Sequence, residues 1–268
     1  MLGLAAIVLA GLALFGDLFP NATHPAQQLI GWIAVAGVVL GTGLALIGPR
    51  YLPTPVTSLV TSPVSGRWLA LNSPASKIPS HGIRAYGQTY AIDLVADPQD
   101  QPRPAFGAGR AMRDATHYPA FGQPVYAMVS GIVVRATDWR RDHRARSNMW
   151  GLGYLLVEGA LRELGGPGFI LGNHVIIRTR EGLYALVAHL QHDSVTVQPG
   201  EMVRAGQQLG RCGNSGNSSE PHVHAQLMDR RSSLRAIGVP MVFESVVLDG
   251  ATTLNCLPKN GQHIRADR

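Results

Sequence analysis

The sequence is poor in lysine and in cysteine. Lys77 and Lys259 are the only lysines, so the formal net charge of +6 at pH 7 rests almost wholly on arginine. Neither lysine lies in a hairpin of short strands, which excludes a lipoyl- or biotinyl-carrier domain because that function needs an exposed, modifiable lysine at such a turn. The two cysteines, Cys212 and Cys256, are compatible with one disulfide or with two inert buried thiols.

The positive charge is concentrated in one short stretch. A basic protein favours anionic partners such as cell-wall polymers, acidic lipids or nucleic acid. Arg140, Arg141, Arg144 and Arg146 lie close together, but without the aromatic spacing of a platform that stacks single strands and without a nucleic-acid-binding motif. The sequence therefore predicts no nucleic-acid partner, and the cluster is interpreted as a solvated loop.

Two long apolar runs are confined to the first fifty residues. The second run, 29–47, is long enough to span a bilayer. The first, 2–15, lacks the basic start and the cleavage pattern of a signal peptide, and a turn at 16–21 separates the two runs. We therefore predict a two-helix transmembrane hairpin over 1–50 that anchors the protein in the membrane. The alternative is that the first run is a cleaved or mis-started leader.

The charges near these runs say little about orientation. A hairpin puts the amino terminus and everything after residue 50 on the same side of the membrane. Arg50 is the only basic residue that closely flanks either run, and the positive-inside rule taken literally would keep the main domain in the cytoplasm. Long domains are translocated largely regardless of charge, however.

Beyond residue 50, short β-branched runs alternate with glycine turns, which is typical of an all-β domain. Residues 51–79 are rich in proline, serine and threonine and are predicted to be a linker that leads into an edge strand. The main domain is predicted over 80–268. An insert at about 138–168 interrupts the strand pattern and predicts one short helix, which either packs on the sheet or rests on a membrane surface.

Two histidines, His222 and His224, are predicted to share one face of a strand. Pro221 and the β-branched Val223 favour extended structure, in which alternate side chains point the same way. Neutral imidazole is the commonest protein ligand for transition metals and a general base near neutral pH, so the pair suits a metal hydrolase. His189 ends an apolar strand face, where a histidine is usually a hydrogen-bonded core residue.

A catalytic zinc takes three nitrogen or oxygen ligands and keeps one position open for water. Asp93 lies in an apolar strand, where a buried carboxylate is costly unless a cation compensates its charge. His81 lies just upstream, beside a glycine. The spacing alone leaves open that Asp93 instead pairs with an arginine such as Arg84 and that His81 is an ordinary loop residue.

An ordered set of short motifs extends over roughly residues 80–230. It includes Gly122-Gln123-Pro124-Val125, Ser130-Gly131-Ile132-Val133, Gly172-Asn173-His174-Val175, Ala188-His189-Leu190, Gly206-Gln207-Gln208-Leu209-Gly210 and Pro221-His222-Val223-His224. Together these motifs closely resemble the LytM/lysostaphin-type zinc metallopeptidases, peptidase family M23, and the ordered set is far more specific than any one motif.

The resemblance implies an all-β fold whose antiparallel sheets form an open cleft, with one Zn²⁺ per chain. By position it implies the metal ligands His81, Asp93 and His224 and the catalytic pair His189 and His222. The sequence departs from the common family pattern in one respect. That pattern places its first histidine only a few residues before the aspartate, whereas eleven residues, 82–92, intervene here.

The resemblance also implies hydrolysis of peptide bonds in peptidoglycan. Bound zinc polarises the scissile carbonyl and lowers the pKa of its water to about 7. His222 and His189 position or deprotonate this water and stabilise the oxyanion. The expected protein is a membrane-anchored endopeptidase whose catalytic domain faces outward from a bacterial cell membrane. The alternative is a metal-free relative that regulates another hydrolase or scaffolds a division or secretion complex.

Overall fold

The computed structural model describes residues 33, 35–37, 39–41, 43, 56–249 and 253–267. The chain divides into two compact units, Met1–Thr54 and Pro55–Arg268. The predicted transmembrane hairpin over 1–50 lies almost entirely outside the described residues. Among those that are described, no helix combines the length and the apolar character that crossing a bilayer requires.

The second unit is built mostly from β-strands, in agreement with the predicted fold class. The strands are β1 Ser58–Val60, β2 Gly66–Leu71, β3 Ile92–Ala96, β4 Met112–Arg113, β5 Pro124–Tyr126, β6 Gly131–Thr137, β7 Ala145–Arg146, β8 Asn173–Arg178, β9 Tyr184–Leu190, β10 Met202–Val203, β11 Gln208–Arg211, β12 Val223–Met228, β13 Gly238–Val239, β14 Met241–Leu248, β15 Thr253–Cys256 and β16 His263–Ala266. Short 3₁₀ helices lie at Ala85–Tyr90, Ala115–His117 and Ser233–Arg235.

One large sheet contains most of these strands. Its hydrogen-bonded order is β1-β14-β16-β2-β3-β12-β9-β8-β6-β10, with β13 beside β12 and β15 beside β14. The sheet is mixed, because β1 pairs parallel with β14 while the other pairs are antiparallel. The pairs β11–β5 and β4–β7 form two small sheets of their own.

The central strands β3, β9 and β12 carry the core. Every residue of β3 and β12 is buried, so both strands are covered on both faces. Trp68, Leu94, Leu186 and Phe243 are among the largest fully buried side chains. Each apolar side chain buried in this way contributes about 1.5–3 kcal/mol to folding.

The segment predicted as a linker with an edge strand contains two strands of the large sheet. β1 lies at one end of the sheet, but β2 is paired on both sides, with β16 and with β3. The strand at 66–71 is therefore interior, because the carboxyl-terminal strand β16 returns to its free side. Both cysteines, Cys212 and Cys256, are free thiols.

The insert differs from the prediction of one short helix. It forms α1, Met149–Leu164, of 16 residues, followed by α2, Pro167–Leu171. Asn148 caps the start of α1, since its side chain accepts a hydrogen bond from the Gly151 N–H at 3.1 Å. Pro167 then opens α2, because proline is favoured in the first turn of a helix.

Helix α1 packs through one face and leaves the other open. Gly151 and Leu155 are buried, and the helix packs against β7 rather than across the centre of the large sheet. On the outer face, Trp150 and Leu164 are 84% and 86% exposed. Of the two alternatives for this helix, packing on the protein therefore describes its inner face only.

Candidate active site

Strand register brings Asp93 and His224 together. His224 on β12 lies directly opposite Asp93 on β3, and its Nδ1 lies 2.8 Å from Asp93 Oδ1. His81 reaches the same carboxylate from the loop before β3, with its Nε2 3.0 Å from Asp93 Oδ2. The potential ligand atoms of these three residues all lie within 4.8 Å of one another. The structure thus brings together the three residues expected to bind the metal.

The alternative pairing of Asp93 with Arg84 is not found in the described part of the chain. Asp93 instead accepts a hydrogen bond from Asn72 Nδ2 at 2.7 Å and faces His81 and His224. Asn72 is held at the end of β2 with a φ of 46°, in the left-handed region that asparagine tolerates better than most residues. No feature of the sequence indicates this contact.

Each predicted histidine ligand has its other ring nitrogen occupied. Gln226 Nε2 donates to the Tyr86 carbonyl at 2.9 Å, which leaves its Oε1 to accept from His224 Nε2–H at 2.8 Å. Ser80 Oγ donates to the Gln88 carbonyl at 3.1 Å and lies 3.0 Å from His81 Nδ1, from which it accepts. In this hydrogen-bond network the nitrogens that face Asp93 carry the lone pairs.

This arrangement fits a bound metal cation. The lone pairs of His81 Nε2 and His224 Nδ1 face the carboxylate oxygens of Asp93, and such acceptor-to-acceptor contacts require a cation or protons between them. Two imidazole nitrogens and one carboxylate oxygen are the donor set that a catalytic zinc takes. Partners on the remote nitrogens are the usual means of orienting metal-binding histidines.

His222 and His189 lie beside these three residues. His222 Nδ1–H donates to the Glu220 carbonyl at 2.8 Å, and its Nε2 lies 3.6 Å from Asp93 Oδ1. His189 Nδ1–H donates to the Ser215 carbonyl at 2.8 Å, and its ring centroid lies 4.6 Å from that of His222. Both rings therefore keep an unprotonated Nε2. His222 is 8% exposed and His189 is 5% exposed.

A β-bulge places His189. The register between β8 and β9 shifts so that Asn173 faces Leu190 while His174 faces Ala188, which leaves His189 as the extra residue. Its φ of 60° lies in the left-handed region, which is strained for a residue other than glycine. Bulges of this kind redirect a side chain near functional sites, and this one accounts for a histidine leaving an otherwise apolar strand.

The electrostatics of the cluster give Asp93 and His189 different charges at neutral pH. Burial alone would raise the pKa of Asp93, but the surrounding imidazoles of His81, His222 and His224 favour the carboxylate and lower this pKa well below its usual value. Burial, followed by the charges of His222 and His224, holds the pKa of His189 well below 6.5. Asp93 is therefore an anion and His189 a neutral base at neutral pH.

Sequence reasoning missed the supporting residues. Gln226 lies two residues after His224 and therefore on the same strand face, and this alternation is the signal in the sequence for its contact with His224. Asn72 and Ser80 carried no such signal. Four other histidines match no ligand position of the family pattern and lie outside the cluster, namely His117, His143, His174 and His192.

Comparison with known proteins gives a family. Residues 113–236 match the family model for peptidase family M23. This match agrees with the resemblance that the motifs carry. The match includes His189, His222 and His224, while His81 and Asp93 lie before its first residue.

The relatives are distant. A peptidoglycan DD-endopeptidase, ShyA from Vibrio cholerae, is 29% identical over 92 residues, covering 29% of this chain and 21% of the relative. The chain thus spans about a fifth of the length of this curated relative. The catalytic domain of lysostaphin from Staphylococcus simulans aligns with a TM-score of 0.34 at 20% identity, covering 61% of this chain and 83% of that domain. A zinc-containing peptidase from Vibrio cholerae aligns with a TM-score of 0.32 at 18% identity, covering 69% and 37%.

Proposed function

We propose that this protein is a zinc endopeptidase that hydrolyses peptide bonds in bacterial peptidoglycan. The observation that carries the proposal is the hydrogen-bond network around Asp93, in which lone pairs of His81 and His224 face a buried carboxylate. That network needs positive charge between the facing atoms, from a cation or from protons, and its donor set is one that zinc uses. In the proposal, His81, Asp93 and His224 bind one Zn²⁺ per chain.

In the proposed reaction, His222 acts as a base. Bound zinc would supply a Lewis acid next to a water whose pKa it lowers to about 7. His222 accepts a proton from the attacking water at Nε2, because its Nδ1–H is already donated to the Glu220 carbonyl. The same nitrogen then returns the proton to the leaving amine. His189 accepts a hydrogen bond from the attacking water at Nε2, which its depressed pKa keeps unprotonated.

The proposed substrate and the proposed location of the catalytic domain rest on the family match and on a relative. The family resemblance points to cell-wall peptides, and the curated relative with partial similarity is a peptidoglycan DD-endopeptidase. Peptidoglycan lies outside the cytoplasm, so the catalytic domain would face outward from the bacterial cell membrane, anchored through residues 1–50. The basic net charge suits an anionic wall polymer.

Metal content and turnover test the proposal together. Wild-type protein should bind one zinc and release cut muropeptides from peptidoglycan. His224→Ala should lose both the metal and the turnover. His222→Ala should keep the metal and lose turnover by about 10²- to 10⁴-fold, the range of a general base.

The exposed His192→Ala provides a matched control that should change neither quantity. A wild-type protein that binds no zinc and leaves muropeptides intact would contradict the proposal. That result would favour the metal-free regulator or scaffold. Loss of zinc in His222→Ala would contradict only the division of roles within the His222–His224 pair.

A further inference from the structure

One cavity of the domain is lined by arginines and by none of the residues of the histidine cluster. It has a volume of about 720 Å³, and the guanidinium groups of its wall are those of Arg140, Arg141, Arg144, Arg146 and Arg162. Asp142 and Glu158 are the acidic residues of the lining. Five cations and two anions leave a formal charge of +3 on its wall.

The two acids already have partners. Glu158 pairs with Arg146 at 2.5 Å and with Arg162 at 3.3 Å. Asp142 accepts backbone N–H groups from Asn214 at 2.6 Å and from His192 at 3.1 Å. Within the described residues, the side chains of the three other arginines, Arg140, Arg141 and Arg144, form no ion pair. The cavity therefore carries uncompensated positive charge.

The guanidinium group of Arg140 lies against two aromatic rings and is incompletely hydrogen-bonded. Its guanidinium carbon lies 4.2 Å from the Trp139 ring centroid and 3.8 Å from the Phe169 ring centroid. Its Nε is buried and has no hydrogen-bond partner among the described residues, and the same holds for the Nε of Arg146. Burial, together with the charges of Arg162 and Arg135, lowers the pKa of Arg140. An anion in the cavity would offset the repulsion between the guanidinium groups.

The cavity wall is tied to the active-site loop at 213–220. His143 Nε2–H donates to the Gly216 carbonyl at 2.8 Å, and Arg162 donates to the same carbonyl. The neighbouring Ser215 carbonyl accepts the hydrogen bond from His189. Gly216 has a φ of 76°, and a Cβ there would lie 2.4 Å from the Gly172 nitrogen, so the loop closely fits its surroundings. The cavity and the histidine cluster therefore share one tightly packed loop.

We propose that the arginine cavity binds a free carboxylate of the peptide substrate. The inference rests on the proposed function, because wall peptides end in carboxylates and the cavity shares a loop with His189. Guanidinium groups bind planar carboxylates through paired hydrogen bonds. The rings of Trp139 and Phe169 provide apolar walls for the adjoining aliphatic part of the residue. The cavity thus selects peptides that carry the free acid over peptides in which that acid is amidated.

A pair of peptides tests this selection. The probes are a wall-derived peptide with a free carboxyl terminus and the same peptide as its amide, titrated into full-length His222→Ala protein, in which the peptide is not consumed. The free acid should bind about tenfold more tightly than the amide or better, as expected for a hydrogen-bonded charge pair. Adding Arg140→Gln, or Arg144→Gln at the more exposed edge of the cavity, should bring this ratio close to one.

Arg204→Gln is the matched control, because Arg204 is exposed and does not line the cavity; it should leave the ratio unchanged. Circular dichroism spectra verify that each variant folds. Equal binding of acid and amide by the parent protein, or an unchanged ratio in both cavity variants, would overturn the inference while leaving the proposed hydrolysis intact. A wild-type protein that cuts neither peptide contradicts the proposed function and this inference with it.

Phosphatidylglycerol vesicles provide the opposing probe, because arginine also binds phosphate. Wild-type protein should bind these vesicles no more tightly than Arg144→Gln does. Vesicle binding that depends on Arg140 and Arg144, without discrimination between the two peptides, would assign the cavity to lipid headgroups and overturn the proposal.

Discussion

Acid should destabilise this protein through one buried histidine outside the active site. His174 on β8 is 1% exposed, and its Nδ1–H donates to the Gly172 carbonyl at 2.8 Å. Burial, with smaller contributions from the charges of Arg135 and Arg140, lowers its pKa from 6.5 to about 4. The folded protein therefore excludes a proton that the unfolded chain binds below pH 6.5.

The sign and the size follow from proton linkage. Since the unfolded state binds more protons between pH 6.5 and pH 4, stability is complete above 6.5 and is lost as the pH falls towards 4. At 1.36 kcal/mol per pKa unit, the shift costs about 2 kcal/mol by pH 5 and about 3 kcal/mol by pH 4. A domain is commonly stable by only about 5–15 kcal/mol, so this loss is measurable.

Urea unfolding at pH 7.5 and at pH 5.0 measures the effect. His174→Gln, which does not titrate, should lose about 2 kcal/mol less than wild type between the two pH values. Release of a metal at pH 5.0 would affect both proteins alike and cancels in the difference. The exposed His117→Gln should follow wild type. If His174→Gln loses as much stability as wild type, the reasoning is refuted.

Two further substitutions test the support of the site. Gln226→Leu removes the acceptor of His224 Nε2–H, so zinc affinity should fall by about 10- to 100-fold in a chelator competition. Gln226→Glu keeps an acceptor and should retain most of the affinity. Equal zinc affinity in wild type and both variants would contradict the orienting role of Gln226. Gly172→Ala should destabilise the protein by more than about 1 kcal/mol in urea unfolding, because φ is 66° and the new Cβ would lie 2.5 Å from the Ser215 carbonyl carbon. Gly182→Ala, at a φ of 84° with open space around the Cβ, isolates the backbone strain, and equal losses in the two alanine variants would show that the contact with Ser215 contributes nothing.

Local patterns in the sequence predict much of this fold. Alternation at Val223–Met228 gives the strand and its polar face, and the apolar run around Asp93 gives β3. Neither pattern states which strands are neighbours, so the register of His224 against Asp93 required the family resemblance or the structure. Sheet pairing joins residues that are far apart in sequence, and single-strand patterns carry no information on it.

The insert shows a second limit. Its apolar composition predicts a helix, but not that Gly165 ends α1 and Pro167 starts α2. Nor does composition reveal that the arginine cluster, interpreted as a solvated loop, lines a cavity with Arg162 from the helix. Arg162 and Arg140 are brought together only by the folding of the insert onto the 213–220 loop.

The His222–His224 pair shows how hydrogen-bond partners give different tautomers to two residues that look equivalent in sequence. His224 donates Nε2–H to Gln226, which turns Nδ1 towards Asp93. His222 donates Nδ1–H to the Glu220 carbonyl, which leaves Nε2 as its free base. The opposite tautomers follow from a side chain two residues after one histidine and a carbonyl two residues before the other. Exchanging the roles would require both partners to change, so Gln226→Leu should weaken metal binding, whereas His222→Ala should keep the metal and lose turnover.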